Sequence, residues 1–406
     1  MDSYLLLLAS LVTLLLGLAA GKLWERYRLR GGRWIDRRRL RESLHYILGL
    51  DFLVTNQLDL AIEELSKAAA NLGEAFEVNL LLGSLYREKG QVSRAITIHQ
   101  TLLQRPKLTR LEHAHVLLCL GLDFKHGGFV DRALEAFTEV LRLDPGNQYA
   151  LINIEKLHED QHQWKEAFEI RQSLGTQASG EERASSQAIL AFLENEIGLQ
   201  ALKRGDHAEA ARRFRAAIDL DARVVPAYLN LGDVCLLEDK PAEAAAIWEQ
   251  VIQNVPERAY LAFDRLAGVY PKMGAPERFP QLCRRLIAET PQDWRARLAL
   301  ARHLDAAGRS ADALGLLFEA LEYHPHALSL HQAIWQVLSR LQFERRLVQQ
   351  YVDLTDHAVF YVDPHVCVRC RYRSTELLWQ CPHCHEWNTF VEERIAPAKA
   401  HEEAGV

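Results

Sequence analysis

Leu82-Gly83-Ser84-Leu85-Tyr86-Arg87-Glu88-Lys89-Gly90-Gln91-Val92-Ser93-Arg94-Ala95 is one copy of a pattern that returns along the chain. Its frame, Leu82-Gly83-x-x-Tyr86 with Ala95 nine positions further on, recurs as Leu48-Gly49-x-x-Phe52 with Ala61 and Leu120-Gly121-x-x-Phe124 with Ala133. It returns as Ile197-Gly198-x-x-Ala201 with Ala210 and Leu231-Gly232-x-x-Cys235 with Ala244. Looser copies are Leu266-Ala267-x-x-Tyr270, Leu300-Ala301-x-x-Leu304 with Ala313, and a degenerate one around Ile154 and Ala167. The period is close to 34 residues. Prolines often close a copy: Pro106, Pro145, Pro256, Pro291 and Pro325. The physical sense is direct. Glycine or alanine in a first helix, and alanine in a second, let two helices approach closely, while leucine and the aromatics fill the space between neighbouring pairs. Proline ends the second helix, because it lacks the N–H for the next bond and its ring clashes with the preceding turn. A chance run of amphipathic helices would not hold one register so long.

This pattern resembles the tetratricopeptide repeat and covers about three quarters of the chain. One unit cannot bury its apolar face alone, so the units must stack. The expected fold is all-α: a superhelical solenoid of about eight helical pairs over residues 42–356 with a concave groove, right-handed by the resemblance. Two interruptions stand out. Residues 175–186, GTQASGEERASS, are small and polar and read as a loop or lengthened turn. An insertion before His113 shifts the third copy by four residues. The sequence contains no Gly-rich phosphate loop, HExxH or GxSxG. Histidines are scattered through the repeats; His158-x-x-x-His162 has helical chelating spacing but no further ligand close by. Cys119, Cys235 and Cys283 fall at or near core positions and read as small apolar fillers.

Four of the seven cysteines lie elsewhere, within eighteen positions: Cys367-Val-Arg-Cys370 and Cys381-Pro-His-Cys384, ten residues apart. Each pair forms a tight knuckle that aims two sulfurs at one ion, and the spacer lets a hairpin bring the second knuckle over the first. Zn²⁺ suits four thiolates, and iron fits the same cage. Four thiolates leave no open position for substrate on zinc, so such a site is structural; with iron it could move electrons. His365, His383 and His385 crowd the knuckles as alternative ligands. Trp379, Trp387 and Phe390 are expected to form an apolar face on which the ribbon docks. Two disulfides would need an oxidising compartment, and the N-terminus argues against one.

Ser3 to Gly21 is uncharged and leucine-rich, long enough to approach the thickness of a bilayer core. Between Lys22 and Arg41 nine basic residues stand against Glu25 and Asp36, which places the body of the chain on the cytoplasmic side. A cleaved signal peptide, with Ala19-Ala20-Gly21 as its site, lacks a basic leading region. The rest of the chain holds 39 basic and 52 acidic residues, a formal charge of −13. An acidic body of this kind does not suit nucleic acid. The sequence thus divides into a transmembrane anchor (1–21), a basic juxtamembrane segment (22–41), the repeats (42–356), a metal-binding ribbon (357–394) and a disordered tail (395–406). Val359-Phe360-Tyr361-Val362 is a short β-like run at the last junction.

Anchor, repeats and a ribbon with two CxxC knuckles together resemble the lipopolysaccharide assembly protein B family, also called the YciM family. The sharpest match is Cys367 to Trp387, CVRCRYRSTELLWQCPHCHEW, which looks like that family's rubredoxin-type ribbon. The resemblance implies a non-enzymatic adaptor on the cytoplasmic face of the inner membrane. It implies that the membrane protease FtsH and the LpxC deacetylase are partners, and that lipopolysaccharide output is regulated through breakdown of LpxC. It also implies one zinc or iron ion on Cys367, Cys370, Cys381 and Cys384, and contact between ribbon and repeats. Two other readings remain: a general scaffold for envelope or lipopolysaccharide assembly proteins, and a rubredoxin-like electron carrier. One departure from the ribbon pattern is that Arg371 and His385 follow the knuckles where many ribbons have glycine.

Overall fold

The computed structural model describes residues 22, 44–71, 75–175, 180–324, 327–341, 349 and 365–393. The expected anchor, most of the basic segment, the Val359–Val362 run and the tail lie outside the described residues. Among the described residues no helix is long and apolar enough to cross a membrane. The chain falls into two compact units, one ending at Leu157 and the other starting at His158.

In chain order the first unit holds α1 (Leu44–Val54), α2 (Leu58–Asn71), α3 (Phe76–Glu88), α4 (Val92–Leu103), α5 (Arg110–His126), α6 (Val130–Leu143) and most of α7 (Gln148–Asp160). The second holds α8 (Trp164–Gly175), α9 (Glu181–Lys203), α10 (His207–Leu220), α11 (Val225–Leu237) and α12 (Pro241–Asn254). After a 3₁₀ turn at Pro256–Ala262 come α13 (Phe263–Val269), α14 (Arg278–Glu289), α15 (Trp294–Ala306), α16 (Ser310–Tyr323) and α17 (Leu328–Arg340). The expected helix pairs are there. Pro145, Pro256 and Pro291 each stand just beyond the end of a helix.

The repeated glycine has one steric job. Gly49, Gly83, Gly121, Gly198 and Gly232 each face the side chain sixteen positions later: Leu65, His99, Phe137, Phe214 and Trp248. A Cβ on Gly121 would lie 2.6 Å from the Phe137 ring, inside any van der Waals contact. The alanines of the frame, Ala61, Ala95, Ala133, Ala210, Ala244 and Ala313, are all fully buried. In the looser copies alanine replaces the glycine, and the position sixteen later holds a non-aromatic group, Cys283 or Leu317, also fully buried. His99 is the polar exception among the large partners. Its Nδ1 lies 2.5 Å from Asp123 Oδ2, and Arg87 donates to the same carboxylate at 2.9 Å. The network is satisfied within the core, as a buried carboxylate must be.

Two expectations are corrected. The polar stretch 175–186 is not a loop throughout: Gly180, at φ 59°, starts the 23-residue α9 at Glu181. Glu181 and Glu182 then sit in the first helical turn, where acidic groups complement the dipole. The copy at Leu266 yields a helix of only seven residues, because Pro256 and Pro271 impose 3₁₀ turns on either side.

A matched pair of substitutions tests the steric rule. Gly198→Ala, whose Cβ would meet the Phe214 ring at 2.6 Å, should cost about 1–3 kcal/mol. Gly315→Ala in α16 meets nothing within 4 Å and should stabilise by about 0.5–1 kcal/mol. Urea unfolding monitored by circular dichroism reads both.

Candidate metal centre and its docking face

The ribbon contains β1 (His365–Cys367), β2 (Arg373–Ser374) and β3 (Phe390–Glu392) in one antiparallel sheet of order β2-β1-β3. The two CxxC segments fold into the same turn. The Cys367 carbonyl accepts from the Arg371 amide at 2.9 Å, and the Cys367 amide donates to the Tyr372 carbonyl at 2.8 Å. The Cys381 carbonyl accepts from His385 at 2.8 Å, and the Cys381 amide donates to Glu386 at 2.9 Å. Closing each turn requires a left-handed residue, and Arg371 (φ 64°) and His385 (φ 56°) supply it without being glycine.

The knuckles bring the four expected cysteines together. Their Sγ atoms all lie within 4.8 Å of one another, with Cys367–Cys384 at 3.7 Å and Cys370–Cys381 at 3.6 Å. A tetrahedron with zinc–sulfur bonds of about 2.3 Å has edges of about 3.8 Å, so the donor set fits one thiophilic ion. Burial opposes ionisation at Cys367, but the Thr389 hydroxyl and the amides of the turn outweigh it and bring this thiol down to about 6. Burial, with the neighbouring thiols, pushes Cys384 up to about 12. Four thiolates this close repel one another, and a bound cation removes that cost. The ribbon binds one metal ion through its four cysteines.

The histidines near the knuckles are engaged elsewhere. His385 Nδ1 lies 2.6 Å from Asp160 Oδ1, and His383 stacks on Tyr372. His365 is half-buried beside Glu392, and burial lowers its pKa. His158 bonds Gln163, and His162 falls beyond the end of α7, so the two share no chelating face. Cys119 and Cys283 are buried in the repeats, which pushes their thiols up to about 11 and about 12; such thiols are inert.

The ribbon docks within the second unit. Trp387 stacks on Phe192 of α9 with ring centroids 5.3 Å apart and meets Trp164 edge-on at 6.2 Å. Trp379 lies 6.1 Å from Phe192, and the Arg258 guanidinium lies over its ring at 5.1 Å. The buried Glu159 carboxylate accepts from Gln380 Nε2 at 2.6 Å and from Trp387 Nε1 at 3.2 Å. Arg258 donates to the Phe390 carbonyl at 3.2 Å, and Arg295 pairs with Glu392. The two expected tryptophans therefore form the docking face. Phe390 does not: its ring is buried with Cys367 and Cys381 in the ribbon's own small core. Sequence reading missed the receiving residues Glu159, Asp160, Phe192, Arg258 and Arg295. The one available signal was that the copy around Ile154 departs from the repeat frame, and its helix ends in the two carboxylates that receive the ribbon.

Comparison with known proteins agrees with both parts. Residues 365–392 match a family model described as a rubredoxin metal binding domain, and residues 80–112, 195–260 and 280–327 match tetratricopeptide repeat models. Lipopolysaccharide assembly protein B of Escherichia coli K12 is 25% identical over 352 residues, 86% of this chain and 89% of that protein. The protein of that name from Haemophilus influenzae is 24% identical over 398 residues, 93% of this chain and 97% of that protein. A probable UDP-N-acetylglucosamine–peptide N-acetylglucosaminyltransferase, SPINDLY of Hordeum vulgare, is 24% identical over 155 residues, only 16% of its own length.

Because metal binding displaces protons from thiols, acid must release the ion. Titrating the loaded protein from pH 7 towards pH 4 should free one equivalent of metal, read by a chromogenic chelator. Cys384→Ser should lower metal content and loosen the ribbon while leaving most of the helical circular dichroism intact.

Proposed function

We propose that this chain, a tetratricopeptide-repeat protein of the lipopolysaccharide assembly protein B family, is a non-enzymatic adaptor of the inner membrane. It promotes breakdown of the LpxC deacetylase by the membrane protease FtsH, and so regulates lipopolysaccharide synthesis. The observation that supports this most is that repeats and ribbon are both present and joined by a specific docking face, while relatives aligned over nearly the whole chain are named for lipopolysaccharide assembly. Stacked helix pairs suit the holding of a protein segment. A four-cysteine zinc centre offers no free coordination position, so its role is to hold the ribbon's shape. A span at residues 1–21 would keep this body near membrane-bound partners and raise their effective concentration. Cys367, Cys370, Cys381 and Cys384 hold the ion, which is zinc in this reading.

A second reading takes the relatives' name literally: a scaffold that binds several envelope assembly proteins without changing their turnover. The two readings separate in cells. Deleting the gene should lengthen the LpxC half-life severalfold after a block of translation, with rescue by the wild-type chain and not by Cys384→Ser. An unchanged half-life, with several assembly proteins co-purifying, contradicts the adaptor and favours the scaffold. Visible absorption of protein purified without chelators distinguishes zinc from iron: zinc gives a colourless sample, iron a red one that bleaches on reduction.

A further inference from the structure

The two knuckles of the ribbon repeat the same turn, and each places a nitrogen-rich side chain where glycine would be the unstrained choice. A left-handed backbone costs a non-glycine residue roughly 1–2 kcal/mol. In the second knuckle the side chain at this position is used. His385 reaches Asp160 at 2.6 Å and helps seat the ribbon. In the first knuckle the equivalent residue is Arg371, which is exposed and meets no partner among the described residues.

Its surroundings show what it could meet. The sheet register sets Val366 opposite both Arg373 and Val391, so these three side chains share one face. Cys367 and Phe390, one residue along, point the other way into the ribbon core. Tyr372 is packed against the rings of His383 and Phe390, whereas Val368 (52% exposed) and Val391 (47%) stand open beside the first knuckle. Arg369 and Arg371, also exposed and without a partner among the described residues, stand beside them. Arg373 is held by Glu393 at 2.5 Å. Exposed valines and two guanidiniums of the same knuckle that are unpaired among the described residues, on a body whose formal charge outside residues 22–41 is −13, are complementary to carboxylates on an apolar segment.

We propose that the first knuckle, Val368 to Arg373, is a docking surface for an acidic, apolar segment of a partner polypeptide, with Arg371 pairing a partner carboxylate as His385 pairs Asp160. This deepens the adaptor reading and rests on it. The occupant is a polypeptide: exposed valines beside two separate guanidiniums match a peptide that carries both apolar and acidic groups.

The test uses the full-length chain in native membranes with p-benzoylphenylalanine replacing Val368, followed by irradiation and sequencing of the cross-linked peptide. The expected adduct is a polypeptide segment with clustered Asp or Glu. Its yield should fall about tenfold with Arg371→Glu, the loss of one charge-assisted bond, and largely survive with Arg371→Lys. Arg371→Gly should leave the melting temperature unchanged or raise it, because the strained turn is relieved, yet also lose the adduct. An adduct to phospholipid or nucleic acid overturns the proposal. So does a segment without carboxylates, a yield indifferent to Arg371→Glu, or no adduct at all. If the surface fails while LpxC half-life still depends on the chain, the adaptor reading stands; if the half-life is indifferent as well, both fall.

Discussion

Two tryptophans laid on one phenylalanine hold the ribbon in place. Trp387 and Trp379 both pack on Phe192, and around that apolar centre stand Glu159, Asp160, Arg258 and Arg295, each bonded to the ribbon. A segment as short as the ribbon builds too small a core to hold its fold unaided. Its buried apolar group is one phenylalanine set among cysteines. The ion fixes the local shape, and docking supplies the burial that the ribbon alone lacks. Aromatic stacking of this kind adds about 0.5–1.5 kcal/mol per pair beyond area burial. The polar contacts around it fix orientation. Trp387 contributes to both, since its ring stacks while its indole N–H meets the Glu159 carboxylate.

The receiving face is assembled from places distant in sequence: the end of α7, the start of α8, the middle of α9, the 3₁₀ turn after α12 and the start of α15. Stacking of helix pairs is what brings such positions side by side, and close stacking depends on the glycine frame. At Gly198, a methyl group would collide with Phe214 and push α9 from α10; α9 also carries Phe192. The constraint that builds the repeats therefore also positions the ribbon.

The repeat was legible because its frame is strict: Leu82-Gly83-x-x-Tyr86 and its copies name the close approach, and the buried alanines confirm the second helix. The four cysteines were legible because metal geometry dictates their spacing. The docking face was not, because Phe192, Arg258 and Arg295 look like ordinary repeat residues until the chain is folded. Phe390 was misassigned for a related reason: strand alternation puts it on the same face as Cys367, which the aromatic content of the ribbon does not show. The left-handed residues sit between these cases. Arg371 and His385 stood out as departures from glycine, but only the structure shows that His385 has an internal partner and Arg371 has none among the described residues.

Hydrogen–deuterium exchange of the full-length protein, before and after removal of the metal, tests most directly whether the ion holds the ribbon on the repeats. Chelation should deprotect residues 365–393 together with the receiving segments around Glu159, Phe192 and Arg258, and leave α1 to α6 unchanged. Unchanged protection of those segments, with loss confined to the ribbon, would contradict the account.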